Sequence, residues 1–177
     1  MSSSKYLKSR DLKIIRAWIN RVKRKNEKPK KSHKKQARKR VKKQLRYKEV
    51  GCGKKRLVLD LGKRSVLKIA ISVNGIKDIE REVEMYRKAP NKLKRNLAKV
   101  RESGKGWLVM KKMKRKVAKT KRTKVKARRL RKRFERSGIS AGDLFSKKSK
   151  RVRWANIRRG RKRKIVVIDY GNFKFKR

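Results

Sequence analysis

Two apolar runs, RLVLDLG and SVLKIAISV, stand on either side of Gly62-Lys63. Branched and leucine side chains suit a pleated, half-buried surface, and a glycine between such runs suits a tight turn. The segment therefore predicts a β-hairpin over 56–61 and 65–73. It constrains the chain strongly because composition argues the other way. The 177 residues include 67 Lys+Arg against 12 Asp+Glu, a net charge of +55, and only 35% are hydrophobic. A chain of that composition without apolar segments would stay disordered. A hairpin with an apolar face needs a partner to bury it, so a folded domain of ordinary size is expected.

The pattern continues downstream. IKDIEREVEMYRKA places Ile76, Ile79, Val83 and Tyr86 on one helical face and ends at Pro90. It also carries Asp78, Glu80, Glu82 and Glu84. GWLVMKKM predicts a strand. RTKVKARRLRKRFERSG predicts a basic helix carrying Val125, Leu130 and Phe134, with Gly138 as its terminating glycine. KIVVIDYG predicts a buried strand that runs into a turn. The order β-β-β-α-β-α-β is an α+β domain over 47–177 with a mainly antiparallel sheet first.

Residues 1–46 are expected to form a separate basic arm. Within it Leu12, Ile15, Trp18, Ile19 and Val22 fall at helical spacing, which predicts a short amphipathic helix over about 11–25. Its stripe is expected to pack on the domain, with docking to a membrane or a partner as the alternative. After Pro29, KKSHKKQARKRVKKQLR reads as a solvated arm that contacts phosphates, or as a localisation signal.

So large a charge opposes compaction unless a polyanion offsets it. Nucleic acid is the first candidate partner and an anionic membrane surface the second. The expected contacts are Lys30, Lys31, Lys34, Lys35, Arg38, Lys39, Arg40, Lys42 and Lys43 in the arm. Arg128, Arg129, Arg131 and Lys132 on the basic helix, with Arg158, Arg159 and Arg161, complete the set. Such contacts give affinity without sequence specificity. Trp107 is expected in the core, and Trp154 is a candidate for base stacking. Cys52 is the only cysteine, which excludes an internal disulfide and a cysteine-rich zinc site. His33 is the only histidine, so there is no pair for a metal or a Ser/His/Asp triad. No apolar run is long enough to span a membrane, and MSSSKYLKSRD lacks the apolar core of a signal peptide. The expectation is a chain that is not secreted and works inside a cell or a virion or nucleoprotein particle, with protein partners in that assembly.

IVVIDYGNF, residues 165–173, keeps an acid amid cations. Asn156 precedes Asp169 by thirteen residues, across a GRKRK turn. Upstream, VLKIA carries Lys68, and Glu82 and Glu84 follow it by 14 and 16 residues. VGCGKKRLV supplies Gly51, Gly53 and Val58, with Arg56 in place of a third glycine. WLVMKKM carries Met110. In this order the segments resemble the protein-kinase-like superfamily over 47–177. The resemblance implies a kinase-like N-lobe, with an antiparallel sheet and an αC-type helix, plus a reduced C-lobe. It also implies ATP and Mg²⁺. Gly51, Gly53, Val58, Lys68, Glu82 (or Glu84) and Met110 would bind nucleotide, and Asn156 and Asp169 would bind metal.

The departures from the family pattern are equally specific. The catalytic base expected five residues before Asn156 is Arg151, which has no proton-accepting form at working pH. The nearby acid, Asp143 in GISAGDLF, lies thirteen residues before Asn156 and needs a longer loop to return. Lys111 and Lys112 stand where the family's hinge commonly has an acid, and the activation segment that would follow Gly171 is missing from the six remaining residues. The expected function is a non-catalytic, pseudokinase-like scaffold that binds nucleic acid or another polyanion, for example as a minor virion or ribonucleoprotein component. The alternatives are an active Mg·ATP-dependent phosphotransferase and a basic nucleic-acid-binding protein of unrelated α+β fold.

Overall fold

The computed structural model describes residues 4–24, 31–62, 64–146 and 149–176, and for 31–37 the backbone alone. Two compact units emerge. The first comprises Met1–Glu80 with Val100–Lys111, and the second Arg81–Lys99 with Lys112–Arg177.

The first unit holds α1 (Ser9–Arg24), α2 (Lys31–Leu45), β1 (Lys48–Cys52), β2 (Arg56–Gly62), β3 (Ser65–Ala70), the start of α3 (Val73–Lys88), β4 (Val100–Gly104) and β5 (Trp107–Lys111). Its strands form one antiparallel sheet in the order β1-β2-β3-β5-β4. The expected hairpin is β2–β3, paired from Arg56↔Ala70 to Gly62↔Ser65. β3 stops at Ala70 rather than at 73, because Val73 opens α3. Lys63, in the expected turn, lies outside the described residues. Leu57, Leu59, Leu67 and Ile69 are fully buried.

The α1 stripe packs as expected, with Leu12, Ile15, Trp18, Ile19 and Val22 all buried. Trp18 Nε1 donates to the carbonyl of Ala70 at 2.8 Å, which ties the helix to the end of β3. The segment expected as a solvated arm is instead helical, as α2. Its cations hide Val41 and Leu45, spaced i,i+4 and both buried. Arg38 donates to Glu49, and Tyr47 Oη donates to Asp11 Oδ2 at 2.6 Å.

The second unit takes the remainder of α3, then α4 (Asn91–Lys94), α5 (Lys121–Arg136), β6 (Ile139–Ala141), β7 (Ile157–Arg159), β8 (Ile165–Val167) and β9 (Phe173–Phe175). β7 and β8 form the hairpin expected around GRKRK, and β6 pairs with β9. Thr120 caps α5 by accepting the N–H of Thr123, and Gly138 ends it with a φ of +70°. The buried face of α5 is Ala127, Leu130 and Phe134, and Val125 is 43% exposed. Spacing explains the difference: 127, 130 and 134 follow i, i+3, i+7, and 125 does not. On α3, Ile76 and Ile79 are buried as expected, but the buried line continues through Glu82 and Met85 rather than Val83 and Tyr86. Phe134 meets Phe173 edge-on at 5.2 Å in the core of this unit. Among the described residues no helix is long and apolar enough to cross a membrane.

Candidate active site

In the first unit the sheet register gathers the expected nucleotide residues. Gly51 pairs with Val58, Val58 with Lys68, and Lys68 with Leu108. Directly paired side chains share a face of the sheet. Met110 pairs with Val66, two residues along from Lys68, so Val58, Lys68 and Met110 lie on one face. Met110 and Lys68 are buried, at 1% and 6% exposure. Lys68 is not without a partner. The N–H of Gly53 donates to the carbonyl of Arg56 at 2.9 Å, which closes the glycine-containing turn. Lys55, in the same turn, reaches the buried Asp78 at 2.9 Å. No motif pointed to that pair.

In the second unit the Asp169-Tyr170-Gly171 turn is pinned by α3. Glu82, fully buried, accepts the N–H of Tyr170 at 2.8 Å. Arg81 Nε donates to the carbonyl of Gly171 at 2.8 Å. Tyr170 Oη donates to the carbonyl of Ala98 at 2.8 Å, and burial pushes this phenol well above its ordinary range. Glu84, the other candidate acid on the helix, is exposed and pairs with Lys88 at 2.8 Å.

Asn156 closes a short 3-10 turn, Trp154–Asn156, ahead of β7. Its Nδ2 donates to the backbone carbonyl of Asp143 at 2.9 Å. Its own carbonyl accepts the N–H of Ile168, next to Asp169, at 2.8 Å. Asn156 thus links Asp143 to the segment after β8 that carries Asp169. Asp143 is 2% exposed. Asn172 donates to it twice, from its backbone N–H to Oδ2 at 2.8 Å and from Nδ2 to Oδ1 at 2.9 Å. Arg153 reaches Oδ1 at 3.3 Å. Gly142 permits this approach, since a Cβ there would meet the carbonyl of Asn172 at 2.8 Å.

The thirteen residues from Asp143 to Asn156 include an excursion. Phe145 and Val152 form an antiparallel bridge, Ser146 N–H donates to Arg151 O at 2.8 Å, and Arg153 N–H donates to Leu144 O at 2.9 Å. The chain leaves after Phe145 and returns at Val152. Arg151 sits exposed on the returning limb, and Asp143 lies beside Asn156. Residues 147 and 148 lie outside the described residues.

Burial raises the Asp143 carboxyl above its ordinary range, and the charge of Asp169 adds to that. Hydrogen bonds from Asn172 and the charge of Arg153 oppose the rise. Asp169 and the Asn156 amide supply hard oxygen donors. Among the described residues no group of three or more His, Cys, Asp or Glu could hold a metal ion. That donor set fits Mg²⁺, which one or two carboxylates share with substrate phosphates, better than an ion held in an all-protein cage.

The expected polyanion residues have mixed placements. Arg38 is engaged with Glu49, and Lys42 lies 3.8 Å from the same carboxylate. Arg131 pairs with Glu135 at 2.7 Å, and Arg158 donates to the carbonyls of Ala155 and Ile157. Lys39, Arg40, Lys43, Arg128, Arg129, Lys132, Arg159 and Arg161 are exposed. Lys30 and the side chains of Lys31, Lys34 and Lys35 lie outside the described residues. Trp107 is core, and Trp154 is half-buried.

No family model and no curated protein sequence matches this chain. Solved structures do. A co-crystal structure of WbdD with the kinase inhibitor LY294002 aligns at a TM-score of 0.55 and 16% identity, over 71% of this chain and 32% of the other. A high-resolution crystal structure of WbdD aligns at 0.53 and 18%, over 70% and 31%. Another structure of it, described as a bifunctional kinase-methyltransferase, aligns at 0.49 and 17%. The fold is kinase-like. The likeness at this identity is one of fold alone, and the chain spans about a third of the WbdD chain's length.

Proposed function

We propose that this chain is a phosphotransferase of kinase-like fold that takes its phosphoryl group from Mg·ATP and works while held on a polyanion. The observation that carries the proposal is the hydrogen bond from Asn156 to Asp143, which puts a buried carboxylate beside the metal-donor candidates despite the long sequence gap. Asp143 accepts the proton of the acceptor hydroxyl, a role that suits a carboxylate whose proton affinity burial has raised. Asn172 fixes the orientation of that carboxylate from two donors. Asn156 and Asp169 offer oxygens to the Mg²⁺, and Glu82 holds the turn that carries Asp169. Lys68, Val58 and Met110 form the nucleotide face of the sheet, with Gly51 and Gly53 at its edge. Bound Mg·ATP supplies the phosphoryl group and the counter-charge. The kinase-like fold of the WbdD structures supports the proposal.

A second reading, a non-catalytic scaffold on nucleic acid or another polyanion, is favoured by the net charge of +55. Thermal unfolding with and without Mg·ATP, at high salt to suppress non-specific phosphate binding, tests the nucleotide site that the first reading requires. A ligand at 100 times its dissociation constant adds about 2.7 kcal/mol. A wild-type shift that Asp169→Asn loses supports the phosphotransferase. No shift, or the same shift in both proteins, overturns it.

A further inference from the structure

Between β1 and β2 the chain turns through Gly53, Lys54 and Lys55. The turn is open at Gly53. A Cβ built there would meet no atom within 4 Å, so packing inside the protein does not require the glycine. Bare backbone that faces open space suits the close approach of a ligand phosphate.

The other end of the turn is fastened down. The carbonyl of Lys55 accepts the N–H of Ile71, just after β3, at 2.9 Å. Gly75, in the first turn of α3, lies so close to that carbonyl that a Cβ on it would overlap the oxygen. Ser72 caps the same end of α3 by accepting the N–H of Gly75 at 3.1 Å. Lys55 Nζ then reaches Asp78 Oδ2, one turn further along α3, at 2.9 Å. Asp78 is 2% exposed, and a carboxylate that deep needs a cation. A main-chain bond, a steric seat and an ion pair thus converge on Lys55. A turn left loose would have to be ordered when a ligand binds, which weakens binding.

We propose that Lys55 is a positioning residue: its bond to Asp78 holds the Gly53 turn in the conformation that receives the phosphates of Mg·ATP, a role that rests on the phosphotransferase reading above. The other role open to a lysine in such a turn is direct contact with phosphate. The two roles have opposite consequences at Asp78. If Lys55 bound phosphate, Asp78 would compete for its ammonium, and neutralising Asp78 would leave ATP binding as tight or tighten it. If Lys55 positions the turn, neutralising Asp78 frees the turn and weakens binding, even though it removes a negative charge near an anionic ligand.

The test pairs calorimetric titration of Mg·ATP into the full chain at high salt with amide hydrogen exchange of the free protein. Lys55→Met, which keeps the length of the side chain without its charge, and Asp78→Asn should each raise Kd about tenfold, the scale of re-ordering one backbone residue. The double variant should bind no more weakly than either single one, because both remove the same bond. Lys55→Arg, which keeps a cation within reach of Asp78, should bind as the wild type does. In the free protein the N–H of Ile71 should exchange faster in Lys55→Met and Asp78→Asn than in the wild type. Should Asp78→Asn fail to fold, Gly75→Ala decides. It keeps both charges and displaces the Lys55 carbonyl, so binding equal to the wild type's would overturn the proposal. Binding by Asp78→Asn as tight as the wild type's, or tighter, would overturn it and leave the nucleotide site standing, as would unchanged exchange at Ile71. A wild type that binds no Mg·ATP would overturn the nucleotide site itself and this role with it.

Discussion

In the first unit Asp11, Glu49 and Asp78 each fasten one segment to another: Asp11 accepts from Tyr47, Glu49 from Arg38, and Asp78 pairs with Lys55. In the second unit Asp143 is as buried as Asp78, but its nearest donors are the backbone and side-chain amides of Asn172. Arg153, the cation that reaches it, stands farther off at 3.3 Å, against 2.9 Å for Lys55 on Asp78. The difference is one of chemistry. A carboxylate matched to a close cation, as Glu49 and Asp78 are, is a brace, and Asp11 braces through one phenol. One held by neutral amides, in a low-dielectric site near a second carboxylate, keeps an elevated proton affinity and can act as a base. A chain with 12 acids and 67 basic residues has abundant cations for braces, so leaving Asp143 mainly to amides is informative.

Substitutions can break this comparison at several strengths. The largest effect is expected at Asp143, where Asp143→Asn should lower phosphoryl transfer by about 10²–10⁴-fold, the usual contribution of a general base. Initial rates at saturating Mg·ATP measure it, and a rate within threefold of wild type would reduce Asp143 to a brace like Asp78. Next is Trp18→Ala, which removes a buried indole and its bond to Ala70 and should cost about 3–5 kcal/mol in denaturant unfolding. A cost below about 0.5 kcal/mol, as for a surface residue, would mean that α1 contributes nothing to the first unit's core.

Tyr47→Phe sharpens the brace side at about 1 kcal/mol. Burial, then the hydrogen bond to Asp11, lifts the Tyr47 phenol from 10.0 to about 12. A raised acid stabilises the fold below its unfolded pKa, so this contribution is complete below pH 10 and lost as pH climbs through about 12. Tyr47→Phe should flatten stability over that window, and an unchanged pH profile would remove the bond from the account. A smaller effect is expected from Arg153→Ala. The Arg153 charge lowers the Asp143 pKa, so its loss should move the acid limb of the rate profile to higher pH. A limb that moved down would contradict the assignment of that limb to Asp143.

Much of the first unit was legible in the sequence because apolar side chains repeat at the right period in RLVLDLG, SVLKIAISV and the α1 stripe. β4, VRESG, was not, since all five of its residues are half-buried and no apolar alternation marks them. α2 looked like a free polycation because two buried residues, Val41 and Leu45, are its whole apolar signal. In the candidate site, Lys68, Glu82, Asn156 and Asp169 were singled out by the order of segments that resemble kinase motifs. Asp143 was obscured by the excursion that the Phe145–Val152 bridge closes, which lengthens the chain without separating its ends. Asn172 and Arg153 carry no motif. The signal that could have raised Asp143 was the Gly142-Asp143 pair ahead of an apolar Leu144, a tight approach followed by a buried anchor.

The central claim is that Asp143, not the position of Arg151, holds the catalytic carboxylate of a working phosphotransferase. The direct measurement is transfer of labelled γ-phosphate from Mg·ATP, to water or to added acceptors, by the wild type, Arg151→Ala and Asp143→Asn. The account predicts equal turnover in the first two and loss in the third. Turnover at background level in all three would contradict it and leave a kinase-like scaffold whose work is done by its charge.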